Sequence, residues 1–452
     1  MKNVLALLSI LAMALTFNAA SAAGREYNVS AVKDIVYGPI LDSSQTPTVL
    51  VCGNVWDGQA DAPLGPMEIL VQNGKIAEMG KKVSRPAGAQ VINLVNEMVT
   101  PGFIDCHAHL TFDPTNFMGM MSETASQAFV RSLPNTKQVL LNGFTTVCDL
   151  ATAPQWGFLT IDLKNAINKG LIVGPRMIVA PHAISCTGGH GDFTGVYTPD
   201  VWNAVKSYVI ADGPDAIQTA VRTEAKGGAD WIKVTGTGGF MSPNDDPADP
   251  TYIQEEMNIL VKTAHDMGKP VAVHAYGDEG IRRAVIAGVD VIEHGNMASP
   301  ETLKMMEKNG TFMVPTQLAL EDGIDNINNS AYWAHQSASY YEKTVKYAPT
   351  ILASAKNLGN SNVKIAFGTD VGSLPFDQVW KEFPIMVKNG ITPLRTLKAA
   401  TSMAAELLRR PDIGTLAVGK TADIIAMPGN PFQDINVTGK VDFVMKDGKV
   451  YI

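Results

Sequence analysis

Pro101-Gly-Phe-Ile-Asp-Cys-His-Ala-His-Leu110 is a short apolar stretch that ends in two histidines, His107 and His109. On a β-strand, side chains at i and i+2 point to one face and lie about 7 Å apart along the chain, so both imidazoles can bind one cation. Imidazole nitrogens suit zinc or a similar divalent metal. A chance pair of hydrogen-bonded or solvated histidines is the alternative, and the rest of the chain decides between the two.

The composition fits a large, loop-rich globular enzyme, because 452 residues with 46% hydrophobic content, 40 Gly and 26 Pro can bury a sizeable core. A net charge of -8 and a pI near 5.5 argue against nucleic acid or an anionic membrane as a partner. We expect a small-molecule substrate and a homo-oligomer.

The first residues resemble a secretory signal. Lys2 precedes an apolar run from Val4 to Phe17, and small residues follow at Ala20-Ser-Ala22. This pattern predicts a signal peptide over 1-22 and an exported protein, periplasmic or secreted. The run is shorter than the roughly 20 residues of a spanning helix, so we expect no membrane anchor in the mature chain. Four cysteines of an exported protein could form disulfides. We expect buried free thiols instead for Cys52, Cys106, Cys148 and Cys186.

Both ends of the chain show strand-and-turn patterns. Asn73-Gly74 and Asp447-Gly448 are each flanked by short apolar strands, as in tight hairpins. Because each piece is too small to be stable alone, we predict that 47-100 and 411-452 pair into one discontinuous β-sandwich.

Between these ends, apolar β-branched runs alternate with amphipathic segments. This alternation predicts a (β/α)8 barrel over 101-410. A doubly wound sheet is the rival, but no Gly-x-Gly-x-x-Gly follows a strand. The predicted strands are 103-109, 144-150, 176-180, 231-235, 271-275, 290-294, 311-315 and 364-369, and the helical segments between many of them include 214-228, 254-267, 278-287, 300-308, 340-357 and 392-408.

Residues able to bind metal collect at the carboxyl ends of the predicted strands, where barrel enzymes carry their chemistry. A single buried histidine is more often a hydrogen-bonded core residue. Four of the eight histidines at strand ends are harder to explain in that way. The candidate ligands are His107, His109, Lys233, His274, His294 and Asp370.

The opening motif, together with Trp231-Ile-Lys-Val, Val273-His-Ala-Tyr-Gly277, Ile292-Glu-His-Gly295 and Phe367-Gly-Thr-Asp370, resembles the amidohydrolase superfamily. Two further stretches, Thr187-Gly-Gly-His-Gly-Asp192 and 413-423, resemble its imidazolonepropionase-like branch, which includes Xaa-Pro dipeptidases and ochratoxinase. The motifs are specific for fold and metal chemistry and much less specific for substrate.

The resemblance implies two divalent metal ions, with zinc as our expectation. His107, His109 and Asp370 would hold the more buried ion, and His274 and His294 the more exposed one. Lys233 would bridge the two after carboxylation of its amine. A free ammonium beside two dications would be repelled in a low-dielectric site, whereas a carbamate supplies an anionic bridge.

The mechanism that follows is attack of a metal-activated hydroxide on a carbonyl, with Asp370 as general base that later protonates the departing amine. The resemblance also places His190 and Tyr276 as substrate contacts, while loop packing is the alternative role for each. The other histidines, His182, His265 and His335, are predicted to be structural. Long predicted loops at 181-213, 236-253 and 316-340 have the size of lids.

We therefore predict a metal-dependent amidohydrolase that cleaves the amide or peptide bond of a dipeptide or an N-acyl amino acid. Within the same fold, the alternative is hydrolysis of a cyclic amide, a lactone or an ochratoxin-like amide. An alternative of another class is a metal-binding or lyase barrel without hydrolytic activity.

Overall fold

The structure is a computed structural model that describes residues 46–120, 122–193, 208–334 and 336–452. The predicted signal peptide over 1-22 and His335 lie outside these residues. Within them, no helix combines the length and the apolar character needed to cross a bilayer.

The two ends of the chain meet in one seven-stranded sheet of order β16-β15-β14-β4-β1-β2-β3. The four N-terminal strands and the three C-terminal strands of this sheet join where β4 pairs with β14 in antiparallel register, with Thr100 opposite Ile425. These strands are β1 (Thr48–Val55), β2 (Gly65–Gln72), β3 (Lys75–Gly80), β4 (Gln90–Pro101), β14 (Ile424–Pro428), β15 (Phe443–Lys446) and β16 (Lys449–Val450).

This sheet folds over a common apolar core. The β2–β3 hairpin comes back against the stretch before β14, where Ile76 N–H donates to Lys420 O and Ala422 N–H to Gly74 O. Side chains from both ends of the chain share the enclosed core, among them Leu50, Ile69, Ile424 and Met445. Burial on facing sides of a folded sheet is the arrangement of a sandwich.

Parallel strands form the central part of the molecule. One sheet has the order β5-β6-β7 and the other β13-β12-β11-β10-β8-β9. All neighbouring strands in both sheets are parallel. Their bounds are β5 (Phe103–Ala108), β6 (Phe144–Asp149), β7 (Arg176–Val179), β8 (Ala183–Ser185), β9 (Val209–Ile210), β10 (Ile232–Thr235), β11 (Val271–Gly277), β12 (Val291–Met297) and β13 (Phe312–Val314).

Backbone hydrogen bonds cross both seams between the two parallel sheets. At one seam, Val179 O at the end of β7 accepts the N–H groups of Asp230 and Trp231, just before β10. At the other, the segment 364–371 lies between β13 and β5: Ala366 N–H donates to Met313 O, and Cys106 N–H to Phe367 O. The predicted eighth strand at 364-369 is therefore in place, although it forms isolated bridges in place of a regular ladder.

The helices follow the predicted alternation, but those at Ala125–Leu141, Leu159–Asn168 and Glu382–Lys388 lie outside the segments named from the sequence, and two of the predicted segments differ. The stretch predicted as one helix over 392-408 is broken at Thr401, whose backbone leaves the helical region. The predicted loop 316-340 contains two short helices. The helices are α1 (Phe117–Met120), α2 (Ala125–Leu141), α3 (Leu159–Asn168), α4 (Gly213–Gly227), α5 (Gln254–Asp266), α6 (Asp278–Ala287), α7 (Pro300–Asn309), α8 (Gln317–Asp325), α9 (Ser330–Trp333), α10 (Ala338–Gly359), α11 (Glu382–Lys388), α12 (Pro393–Ala399) and α13 (Ser402–Leu407).

Four aromatic rings pack together between the parallel strands and α11. Phe103, Phe144, Phe367 and Phe383 are all fully buried. The Phe383 ring centroid lies 4.3 Å from that of Phe367 and 4.8 Å from that of Phe103. Such rings contribute large buried apolar area in fixed geometry, so the cluster anchors the strands that carry the site.

Candidate metal centre

His107 and His109 project from the end of β5, where the strand pairing with β6 is irregular between Asp105 and Ala108. The buried Asp105 carboxylate accepts the N–H of His107 and the hydroxyl of Thr369, at 3.0 and 2.6 Å. These bonds connect the end of β5 to the segment that carries Asp370.

Asp370 lies between the two histidines. Its Oδ1 is 3.3 Å from His109 Nε2 and 3.6 Å from His107 Nε2, and its N–H donates to His107 O. Asp370 and His294 both have positive φ, 63° and 70°, a conformation that non-glycine residues adopt rarely and that clusters at functional sites. The candidate ligand atoms of His107, His294 and Asp370 lie within 4.8 Å of one another.

The outer ring nitrogens of three of these histidines have protein partners. His107 Nδ1 lies 2.7 Å from Glu293 Oε2, and His294 Nδ1 lies 2.7 Å from Thr316 Oγ1. His109 Nδ1 is 3.2 Å from the carbonyl oxygen of Ala151. Contacts of this kind fix the ring orientation of metal-binding histidines and leave Nε2 for the ion.

His274 from β11 and His294 from β12 form the other half of the cluster. Their ring centroids are 4.6 Å apart with nearly perpendicular planes, and the rings of His107 and His294 are 4.9 Å apart. The pairing of β11 with β12 sets Ala275 opposite His294, so the register of these strands brings the two imidazoles together.

Lys233 on β10 is 3% exposed, and within the described part of the chain its Nζ has no hydrogen-bond partner. Burial lowers the pKa of Lys233, although the charges of Glu293 and Asp370 act in the opposite direction. A buried amine without a hydrogen-bond partner costs free energy, so Lys233 Nζ is a position where a bound group would be stabilising.

The protonation states fit a cation-binding cluster. Burial lowers the pKa of His107 and of His274 well below the ordinary range, and that of His294 to about 3. Neutral imidazole is the form that binds metal. For Asp370, burial acts to raise the pKa, but the hydrogen bond and charge of His109 outweigh it and the pKa is lowered. Three neutral imidazoles and an ionised carboxylate are a donor set for a divalent cation.

The two predicted substrate contacts lie against the histidines of β11 and β12. His190 stacks on His274, with ring centroids 4.3 Å apart and planes 9° apart, and Tyr276 stacks on His294 at 4.6 Å and 17°. The predicted structural histidines behave differently: His182 binds Glu224 and the carbonyl oxygen of Gly157, and His265 pairs with Asp290 near the surface.

Several residues around the cluster were missed in the sequence. Glu293 directly precedes His294 at a strand end, and that adjacency of a carboxylate and a candidate ligand was a usable signal. Thr316 carried no such signal, because its distance from His294 depends on the turn after β13, where its φ is 39°.

The four cysteines are free, with Cys186 only partly buried and the other three buried.

The model of the amidohydrolase family matches residues 98–451. This chain belongs to the amidohydrolase family. Ochratoxinase from Aspergillus niger is 30% identical over 430 residues, which cover 89% of this chain and 86% of the relative. Its crystal structure superposes with a TM-score of 0.78 at 27% identity, covering 90% of this chain and 95% of that one.

Two further solved structures align with this chain over nearly their full length. A Xaa-Pro dipeptidase with methionine bound in the active site gives a TM-score of 0.82 at 34% identity, covering 90% of this chain and 100% of that one. A prolidase complexed with N-methylphosphonate-L-proline gives 0.80 at 30% identity, with 90% and 99% coverage. The predicted fold class, a TIM-like barrel with a β-sandwich, is confirmed, and the chain is a hydrolase of carbon–nitrogen bonds in small molecules.

Proposed function

We propose that this chain is a metal-dependent amidohydrolase that releases an amino acid from a dipeptide or an N-acyl amino acid, with two divalent ions, expected to be zinc. The observation that carries the proposal is the buried amine of Lys233, without a hydrogen-bond partner among the described residues, next to a cluster of neutral imidazoles and one carboxylate. The prolidase and Xaa-Pro dipeptidase neighbours support the substrate class, because the bound ligands in their structures are N-methylphosphonate-L-proline and methionine.

The residues divide into two sets. We assign His107, His109 and Asp370 to the more buried ion, and His274 and His294 to the more exposed one. Lys233 would serve both ions as a carbamate, whose nitrogen is uncharged and keeps one N–H in place of the three N–H donors of an ammonium. When bound, the ions acidify water and polarise the carbonyl that is attacked.

The remaining steps belong to side chains of the protein. Asp370 takes the proton of the attacking water and transfers it to the leaving nitrogen, because its carboxylate stands at the centre of the cluster and stays ionised. His190 and Tyr276 contact the substrate, since each stacks on a histidine of the more exposed set. The burial of the cluster limits access of bulk water, which strengthens every charge interaction inside it.

A metal count tests the first half of the proposal. The zinc-loaded protein should contain two ions per chain, and His274→Ala should lose one of them. His265→Ala is the control, because this histidine pairs with Asp290 away from the cluster. Reconstitution without carbon dioxide should lower the occupancy if Lys233 is carboxylated. Equal counts in all samples would contradict the assignment.

A substrate panel tests the second half. The zinc-loaded enzyme is incubated with dipeptides and N-acyl amino acids, and the released amine is measured. The ochratoxinase relative, which shares 30% identity over most of both chains, favours an ochratoxin-like amide as a second candidate, so this compound belongs in the panel. A metal-loaded protein that hydrolyses none of these amides would overturn the proposed activity while leaving the metal site in place.

A further inference from the structure

A chain of hydrogen bonds leads from His190 to helix α10. His190 Nδ1 lies 2.6 Å from Ser242 Oγ, and Ser242 Oγ lies 2.7 Å from Asp245 Oδ2. Lys343 on α10 donates to Asp245 Oδ1 at 2.9 Å. Ser242 is 2% exposed, and the side chains of Asp245 and Lys343 are 6% and 11% exposed. Water therefore competes little for these bonds.

The charges of Asp245 and Lys343 decide which atoms donate and which accept along these hydrogen bonds. Asp245 is paired with the Lys343 ammonium, so its carboxylate has no proton to donate. The one hydroxyl hydrogen of Ser242 must then point at Asp245. Ser242 Oγ can only accept in its contact with His190, which requires a proton on His190 Nδ1. The contacts thus select a single tautomer for a neutral His190 ring, with Nε2 as the nitrogen left for the substrate.

The surrounding loop is built to hold this arrangement. Asp245 Oδ2 also accepts the N–H of Gly239, and Lys343 donates to the carbonyl oxygens of Gly239 and Ser242 at 2.8 and 2.5 Å. A Cβ at position 239 would lie 2.1 Å from His190 Nδ1, so only glycine leaves room for the ring edge there. The ring is enclosed between this glycine on its edge and His274 on its face.

We propose that Ser242, Asp245 and Lys343 are positioning residues that fix the orientation and the tautomer of His190, so that Nε2 faces the substrate. This inference rests on the proposed function, in which His190 contacts the substrate. None of the three residues was singled out in the sequence. Ser242 and Asp245 lie in a loop, and Lys343 lies on a helix 98 residues after Asp245.

The next residue offers a matched control. Asp246 is bound by Lys346 at 2.8 Å and by the Tyr347 hydroxyl at 2.5 Å, both on α10. It therefore ties the same loop to the same helix as Asp245 does. No contact joins Asp246 to His190 among the described residues, so Asp246→Asn weakens the attachment of the loop without touching the chain to His190.

The test compares Ser242→Ala, Ser242→Thr and Asp246→Asn with the wild-type, zinc-loaded enzyme. Ser242→Ala removes one hydroxyl and keeps the pair of Asp245 with Lys343, which makes it less disruptive than a change of either charge. For each protein, kcat and KM are measured on the best amide of the substrate panel. Selective ¹⁵N-histidine labelling reports which ring nitrogen of His190 carries the proton, with His190→Asn used to assign the signal.

We expect Ser242→Ala to lower kcat/KM by about 10–100-fold, the usual effect of removing a residue that orients a functional side chain. Ser242→Thr should recover most of that loss, since it restores the hydroxyl, and Asp246→Asn should stay within about twofold of wild type. The wild-type spectrum should show the proton on Nδ1, and Ser242→Ala should show a mixture of tautomers.

A bare Nδ1 in the wild-type spectrum, or a Ser242→Ala protein that matches Asp246→Asn in kcat/KM, would overturn the inference. If no amide in the panel is hydrolysed, the proposed function fails but the spectrum still decides the tautomer. The two failures are therefore distinguishable.

Discussion

Replacing Lys233 by methionine should change the stability of the protein in opposite directions with and without metal. In the metal-free protein, the amine of Lys233 is buried and has no hydrogen-bond partner among the described residues. Methionine has a similar length and no group that needs a partner. Removing an unsatisfied buried polar group relieves about 1–3 kcal/mol. The metal-free variant should therefore be more stable than the metal-free wild type.

The size of the shift follows from the length of the chain. With about 2.1 cal/mol/K of unfolding entropy per residue over roughly 400 folded residues, 1 kcal/mol corresponds to about 1.2 °C in Tm. The metal-free Lys233→Met protein should melt roughly 1–4 °C higher than wild type. Zinc at about 100 times its Kd stabilises the wild type by about 2.7 kcal/mol, or about 3 °C, and the variant should lose most of this increment.

Calorimetric melts with chelator and with zinc measure both effects. Lys446→Met is the matched control, because Lys446 is also a buried lysine but donates to Gly174 O at 2.7 Å, and it lies on β15 outside the cluster. Its zinc increment should equal that of wild type. A metal-free Lys233→Met protein that melts below wild type, or that gains as much from zinc, would refute the reasoning.

Three further results are expected. Glu293→Gln should weaken zinc binding by about 10–100-fold in chelator competition, because its carboxylate orients His107, and unchanged affinity would count against that role. Phe383→Ala should cost about 3–5 kcal/mol in denaturant unfolding, since its ring is fully buried, and a cost below 1 kcal/mol would be inconsistent with this packing. Burial lowers the pKa of Lys446 from 10.5 to about 8, so between these values the unfolded chain binds more protons than the folded one; the Tm of wild type relative to Lys446→Met should rise from pH 8 to pH 10, and a constant difference would contradict this sign.

The alternation of strands and helices was predictable because each parallel strand is a buried apolar run, and because apolar residues recur at helical spacing in the helices. The predicted site residues at the strand ends lie together for the same reason: parallel strands share one carboxyl edge. Their roles as ligands stay predictions. The break at Thr401 was not predictable, since the segment around it has helical composition and only tertiary contacts set its backbone.

The series of hydrogen bonds from His190 to Lys343 could not be predicted from the sequence either. Serine, aspartate and lysine in polar loops and on helices are common, and nothing local distinguishes Asp245 from Asp246. Only the fold shows that Asp245 turns toward the site while Asp246 turns toward Lys346 and Tyr347. Loop residues that act through another side chain leave no periodic pattern, which is why sequence reasoning reaches the ligands first.

The pairing of β4 with β14 has a consequence for synthesis. β4 gains its second neighbour only when the strand that begins at Ile424 has been made, after all the parallel strands. At about 5–20 residues per second, β4 waits on the order of tens of seconds with an open apolar edge, a template for aggregation. A chain that stops before Ile424 therefore lacks the partner strand and leaves this edge of β4 exposed.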